Sequence, residues 1–128
     1  MADGFQLVKG TWYMEATKGI VDGVDIKQRD NVKKFVQFYN VRAIILLVDL
    51  ISIGRDPTLN VILDDLLVSR KHAALLKKLN GWSIMDLGSS NGTTIMRANL
   101  PIRLVRNKET RLEKEDLILM GSTILRFV

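Results

Sequence analysis

The sequence predicts an all-β sandwich, and three observations carry that prediction. From Ala43 onward, apolar runs of three to six residues alternate with polar breaks. Runs of that length suit strands and are too short for globular helices. The breaks are dense and turn-prone: Asp49, Gly54 to Asn60, Asn80-Gly81, Gly88 to Gly92 and Gly121-Ser122. Asn80-Gly81 stands directly between two runs, and both residue types tolerate positive φ, so a hairpin with a type I′ turn is expected there. Short strands joined by frequent turns belong to sandwiches and barrels.

Taken in order, residues 1–30 read as an N-terminal extension and residues 31–128 as the sandwich domain. The extension holds Trp12, Tyr13 and the turn-prone pairs Lys18-Gly19 and Asp22-Gly23. Within it, Glu15 to Val24 reads as a short helix or as two short strands. Val32, Phe35, Val36 and Tyr39 fit one helical face, yet Phe35 to Tyr39 is rich in strand formers, so both readings stand. The strand runs that follow are Ala43–Val48, Leu50–Ile53, Val61–Leu63, Leu75–Leu79, Trp82–Leu87, Thr94–Met96, Ile102–Val105, Leu117–Met120 and Thr123–Val128. Two stretches, His72 to Leu79 and Glu109 to Asp116, are rich in helix formers. The hairpin signal makes the first a strand. The second becomes one only if tertiary pairing overrides local preference. Trp82 and Phe127 are expected in the core.

Composition narrows the chemistry. The 128 residues are 47% apolar and 26% charged, a globular balance. Cysteine is absent, which removes disulfides, thiol catalysis and thiolate metal sites. With one histidine, His72, a zinc site would need carboxylates almost alone, so neither a metal nor a cofactor is expected. Nineteen Lys+Arg against fourteen Asp+Glu give a net charge of +5, which favours acidic partners: phosphates, acidic peptides, nucleic acid or anionic lipid. The longest apolar run, Ala43–Val48, has six residues, far short of the roughly twenty that cross a bilayer. The first residues carry no signal-peptide pattern, so the expected location is intracellular and cytoplasmic, without membrane insertion. No glycan is then expected at the Asn91-Gly92-Thr93 sequon.

Three short motifs stand at breaks between the expected strands. They are Gly54-Arg55, then Ser69-Arg70-Lys71-His72, then Ser89-Ser90-Asn91-Gly92-Thr93. Loops after alternate strands of a sandwich meet at one end, where function concentrates. No nucleophile–base pair is evident there, but the parts suit a phosphate. Arginine offers a planar fork of donors that stays charged. Serine hydroxyls and loop N–H groups add donors, and an asparagine amide suits an extended peptide backbone. Glycine permits close approach and positive φ.

In this order and setting, the motifs resemble those of the forkhead-associated (FHA) domain, a phosphothreonine-peptide-binding family. The resemblance covers Ile53-Gly54-Arg55, Ser69-Arg70-Lys71-His72, Asp86 to Thr93, and the strand pair Leu117–Gly121 and Ile124–Val128. It implies a sandwich of about eleven strands, with Val32–Tyr39 as the first. It also implies roles. Arg55 would be the main phosphate ligand, Ser69 a hydroxyl donor and Arg70 an added charge at the rim. Asn91 would bond the peptide backbone, and Ser90 phosphate or backbone. Gly54, His72, Gly92 and Thr93 would shape the site, with His72 bonding within and between loops. Gly92 would leave a cavity for the threonine methyl. The implied partners are a threonine-phosphorylated protein and an upstream Ser/Thr kinase.

The chain departs from the family pattern at two turns. Met96, Arg97 and Ala98 occupy a hairpin where the family commonly has asparagine, and Glu115-Asp116 stands where it commonly has Gly-Asp. Leu67 lies where some members carry a charged residue that reads the third position after phosphothreonine, so an acidic residue is not expected to be preferred there. Three rivals are weighed. A nucleic-acid binder would use the basic balance, but the basic residues are scattered and the aromatics form no ladder. An enzyme would use Ser69, His72 and Asp64 or Asp65, but residues three apart on a strand face opposite ways. A phosphate-independent scaffold would self-associate through the N-terminal segment, by Trp12 and Tyr13; alternatively Thr11 or Thr17, once phosphorylated, would occupy a binding site on the same or another chain.

Overall fold

A computed structural model describes residues 4–10 and 49–128 in full, with the backbone of segments 12–14, 20–21, 24–25 and 43–45. The described residues form strands and no helix. In chain order these are β1 (Phe5–Lys9), β2 (Trp12–Met14), β3 (Ile20–Val21), β4 (Val24–Asp25), β5 (Ala43–Ile45), β6 (Leu50–Gly54) and β7 (Val61–Leu63). There follow β8 (Ala73–Lys78), β9 (Gly81–Asp86), β10 (Thr93–Arg97), β11 (Leu100–Arg103), β12 (Glu109–Arg111), β13 (Leu117–Met120) and β14 (Thr123–Phe127). The total among the described residues is fourteen, because paired segments as short as β3 and β4 count as strands.

One sheet has eight strands, in the order β11-β10-β13-β14-β1-β5-β3-β4. The other has six, in the order β12-β9-β8-β6-β7-β2. Burial alternates along β14, as it must when one face of a strand points inward. Leu7, Ile95, Ile118 and Leu125 from the larger sheet share one core with Ile51, Ile53, Leu75 and Ile84 from the smaller. Full burial of each such side chain contributes about 1.5–3 kcal/mol. Trp82 and Phe127 lie in this core. Phe5 joins them, edge-on to Trp82 at 5.5 Å and tilted against Phe127 at 5.2 Å between ring centres.

The expected division at residues 30 and 31 does not match this sandwich. β1 lies inside the larger sheet, between β14 and β5, and β2 edges the smaller sheet against β7. Phe5 and Leu7 alternate inward from a strand too short to stand out in the sequence. In Glu15 to Val24, β3 and the start of β4 agree with the two-strand alternative, and the rest lies outside the described residues. Val32–Tyr39, expected as the first strand, lies outside them too. The helix formers of His72 to Leu79 give β8, and Glu109–Arg111 gives β12 paired to β9. Sheet pairing there overrides propensity.

The hairpin at Asn80-Gly81 exists, but its turn differs from the expected type. Lys78 pairs with Gly81, so Leu79 and Asn80 form the loop. Of these residues only Gly81 has positive φ, +131°, whereas a type I′ turn needs two such residues in the loop itself. That turn occurs at Ala98-Asn99, φ 49° and 64°, between the paired residues Arg97 and Leu100. Glu115 also has positive φ, 73°. Ala98 and Glu115 are thus left-handed at the two places where the chain departs from the family pattern. Nearby, Asp116 is buried and accepts two bonds from Arg97, at 3.0 and 2.8 Å, which ties the hairpin to the 113–116 turn.

An ordinary residue in the left-handed region costs about 1–2 kcal/mol, part of which glycine returns as unfolded-chain entropy. Ala98→Asn and Glu115→Gly are each expected to stabilise the domain by roughly 0.5–1 kcal/mol. Urea unfolding would show the midpoint rise. A fall in both variants would contradict the turn geometry.

Candidate functional site

The site is built from three connections at one end of the sandwich. The first leaves β6 at Gly54-Arg55 and enters β7, which runs parallel to β6 after only six residues. Parallel neighbours usually need a dozen or more residues between them. Asn60 makes the short connection possible. Its Oδ1 accepts from the Ser52 N–H (2.9 Å) and hydroxyl (3.0 Å), and its own N–H donates to Ser52 Oγ (3.1 Å).

The second connection, 64–72, is laced to the first by backbone bonds. Arg55 N–H donates to Ser69 O (3.1 Å), Asp56 N–H to Arg70 O (3.1 Å) and His72 N–H to Ile53 O (3.0 Å). The approach is so close that a Cβ on Gly54 would overlap the Arg70 carbonyl. Arg55 Nε donates to Val68 O, which aims an exposed guanidinium along the rim. Asp65 ties the same connection to the β13–β14 turn. It accepts from Ser122 N–H (2.7 Å), the Thr123 hydroxyl (2.9 Å) and Leu67 N–H (2.9 Å).

The third connection, 87–92, is wrapped around the buried Asp86 carboxylate. Oδ1 accepts from Gly88 N–H and Ser89 N–H, both at 2.8 Å. Oδ2 accepts from the hydroxyls of Ser89 (2.5 Å) and Thr93 (2.7 Å), and Ser89 Oγ in turn accepts from Gly92 N–H (2.9 Å). Burial alone would raise the Asp86 pKa. The hydrogen bonds from Ser89, Thr93 and Gly88 outweigh it and hold the carboxyl below the usual range.

Three contacts join the second and third connections. His72 is fully buried, with Nδ1 accepting from Ser69 N–H (3.0 Å) and Nε2 meeting Gly92 O (3.0 Å). An acceptor at Nδ1 and a carbonyl at Nε2 define the neutral tautomer with its proton on Nε2. Ser90 N–H donates to Ser69 Oγ (2.9 Å). Asn91 Nδ2 donates to Leu67 O (2.8 Å).

Arg55, Ser69, Ser90 and Asn91 therefore come together at one rim, with Arg70 exposed beside Ser69. The Ser69 oxygen is already an acceptor, so its hydroxyl proton is free to point outward. Among the described residues, the backbone N–H groups of Arg70 and Asn91 have no protein acceptor. Guanidinium, hydroxyl and amide donors on one rim match a tetrahedral dianion; the Asp56 carboxylate beside them is taken up by the Thr58 N–H and hydroxyl. Thr93 is buried, and its hydroxyl is spent on Asp86. The cavity expected at Gly92 is filled: a Cβ there would overlap the Arg103 guanidinium. Both ring nitrogens of His72 are engaged with backbone, which leaves none to activate the Ser69 hydroxyl.

Sequence reasoning misses Arg103 and Arg106. Arg103 Nη2 donates to Asn91 O (3.0 Å), and Arg106 donates from Nε to Ser89 O (2.9 Å) and from Nη2 to Ser90 O (3.4 Å). It also misses Asp86 as the organiser of its loop. The signal was available, since Asp followed by Gly-Ser two and three residues on is an Asx-turn pattern.

The model of the FHA domain family matches residues 51–121. The chain belongs to the FHA domain family. The glycogen accumulation regulator GarA of Mycobacterium tuberculosis is 34% identical over 70 residues, 54% of this chain and 43% of that one. The oxoglutarate dehydrogenase inhibitor of Corynebacterium diphtheriae is 35% identical over 75 residues, 59% of this chain and 48% of that one. The FHA chain thus spans less than half the length of these curated relatives. Among solved structures, the FHA domain of the CT664 protein from Chlamydia trachomatis superposes with a TM-score of 0.55 at 26% identity, covering 70% of this chain and 86% of that one. The MEK1 FHA domain, solved with the HOP1 pThr318 peptide, shares the fold with a TM-score of 0.53 at 23% identity, covering 70% of this chain and 88% of that one.

His72 is the sole histidine, so its titration can be read in the stability of this FHA domain. Burial lowers its pKa from the usual 6.5, against the smaller upward pull of the Gly92 carbonyl and Asp86. The unfolded imidazole takes its proton first as the pH falls. Stability should therefore drop as pH falls below about 6.5, by at most about 1.4 kcal/mol per unit, and level off below the folded pKa. Asp86, with its folded pKa lowered, loses its contribution only below about pH 4. Urea unfolding at pH 7.5, 6.5 and 5.5 tests this. A flat profile would rule out a buried neutral imidazole.

Proposed function

We propose that this domain binds a phosphothreonine in an extended segment of a partner protein, in kinase signalling or phosphorylation-regulated assembly. One observation carries the reading: the Arg55 guanidinium, the Ser69 hydroxyl and the free N–H groups of Arg70 and Asn91 share one rim, where the nearby Asp56 carboxylate is occupied by the Thr58 N–H and hydroxyl. Arg55 is the main phosphate ligand and Ser69 donates its hydroxyl. Arg70 adds charge, and Ser90 contacts phosphate or peptide backbone. Asn91 keeps its amide oxygen and one N–H for the partner's backbone. Gly54, His72, Gly92 and Thr93 hold the loops that present these groups. GarA's name as a regulator and the pThr peptide on the MEK1 FHA domain support the same reading. It is a binding module rather than an enzyme, and an upstream Ser/Thr kinase supplies the phosphate. Its place is the cytoplasm, where such kinases act. Among the described residues, no helix is long and apolar enough to cross a membrane.

Beside the rim lies a shallow groove of about 390 Å³, lined by Leu67, Asn91, Thr94, Arg103 and Leu119 among others. Leu67 is half exposed there and offers an apolar surface to the peptide beyond the phosphothreonine.

Phosphothreonine carries about −1.5 to −2 charges at neutral pH. A micromolar affinity is about −8 kcal/mol, and each charge-assisted hydrogen bond contributes about 1.5–3 kcal/mol, so the phosphate can supply most of it. Arg55→Ala is expected to weaken phosphothreonine-peptide binding at least about thirtyfold with the fold intact. Arg55→Lys should weaken it too, since a point charge does not replace a planar fork. Calorimetric titration with phosphorylated and unphosphorylated peptides decides the matter. Unchanged affinity in either variant would contradict Arg55 as the ligand.

A further inference from the structure

Arg103 and Arg106 carry more positive charge to the rim than one phosphate requires. Two half-buried arginines elsewhere are matched by acids: Arg97 pairs with Glu113 and Asp116, and Arg126 faces Glu115. Among the described residues, no carboxylate pairs with Arg103 or Arg106. Their known partners are the carbonyls of Ser89, Ser90 and Asn91, which occupy only part of each five-donor fork. The backbone beneath them is fixed, with Leu104 N–H bonded to Thr93 O (3.0 Å) and Asn107 N–H to Asp86 O (2.7 Å). Both side chains are exposed and rest against the carbonyls of the 89–91 turn.

We propose that Arg103 and Arg106 form a second anion-reading subsite, which selects partners carrying an acidic group close to the phosphothreonine. The proposal rests on the phosphothreonine reading above. Geometry sets the spacing. Ser90 bonds Ser69 Oγ through its N–H and Arg106 through its carbonyl, so the two side chains lie no more than about 10 Å apart. An extended peptide covers that distance in about three residues. The second group is therefore a carboxylate or another phosphate within three residues of the first. Both chemistries fit a forked guanidinium. Arg103 also lines the groove beside Leu67, so its acidic ligand stands next to an apolar contact.

The test uses peptides that share one phosphothreonine. One has neutral flanks, one has Glu at the three positions on either side, and one carries a second phosphate within that span. Unphosphorylated versions of all three serve as controls. The unaltered domain should bind the acidic peptides about three- to tenfold more tightly than the neutral one. The double variant Arg103→Gln/Arg106→Gln should lose that preference, so that its ratio of acidic-peptide to neutral-peptide affinity falls to about one. Thermal melts check that the variant folds; if it does not, the preference of the unaltered domain, and its loss at high salt, still decide. A stronger gain from the phosphate or from Glu identifies which anion the subsite takes. Equal losses for neutral and acidic peptides would overturn the proposal and leave the two arginines as loop supports only. So would equal affinities in the unaltered domain. A domain that ignores phosphorylation altogether fails the broader reading, and the unphosphorylated controls reveal that outcome separately.

Discussion

The rim depends on one buried neutral imidazole. His72 joins the Ser69 loop to the Gly92 loop through its two ring nitrogens. Each loop is ordered from within by an aspartate, Asp65 in one and Asp86 in the other, and the contact between them sets their relative position. Two sheets can bring loops to the same end, but they cannot set the loops within hydrogen-bond distance of each other. The imidazole does that from inside, with the Ser90–Ser69 and Asn91–Leu67 bonds outside it. It spans two backbone groups of opposite polarity, which fixes one donor and one acceptor direction at once. The protonated form would present two donors to a site holding one donor and one acceptor, so the arrangement depends on charge state as well as shape.

Asp86 performs the complementary task inside one loop. Its carboxylate collects two backbone N–H groups and two hydroxyls from residues 88–93, which leaves Ser90 and Asn91 facing outward. A buried carboxylate is costly unless its lone pairs are filled, and here they are filled by the loop that needs ordering. The desolvation cost and the conformational order are offset against each other in the same few residues. Ser69 Oγ then accepts from Ser90, so the outer faces of the two loops become one surface.

Much of this was legible in the sequence, for identifiable reasons. Strand runs from Leu50 to Phe127 show because apolar residues recur at short intervals between turn residues. Arg55, Ser69 and Asn91 show because polar residues stand in order at loop positions. Other features hide. β1 is a five-residue strand whose meaning comes only from pairing with β14 at the far end of the chain. The type I′ turn at Ala98-Asn99 hides because alanine is a poor signal for positive φ, while Asn80-Gly81 advertises a turn that the register places one residue earlier. Arg103 and Arg106 look like ordinary surface charges beside β11. Only the long-range contacts with residues 89–91 reveal what they face.

Gly92 joins these points. The family resemblance gives it a cavity for a threonine methyl, yet the Arg103 guanidinium fills that side of the glycine. The glycine is what lets the guanidinium approach. A guanidinium at the end of a flexible exposed side chain moves at small cost, whereas a Cβ at residue 92 would be permanent and would sit on a backbone of φ +81°. Glycine at this position therefore serves the loop through one absence: it accepts the left-handed backbone and lets the Arg103 guanidinium lie against residues 91 and 92, where it donates to the Asn91 carbonyl.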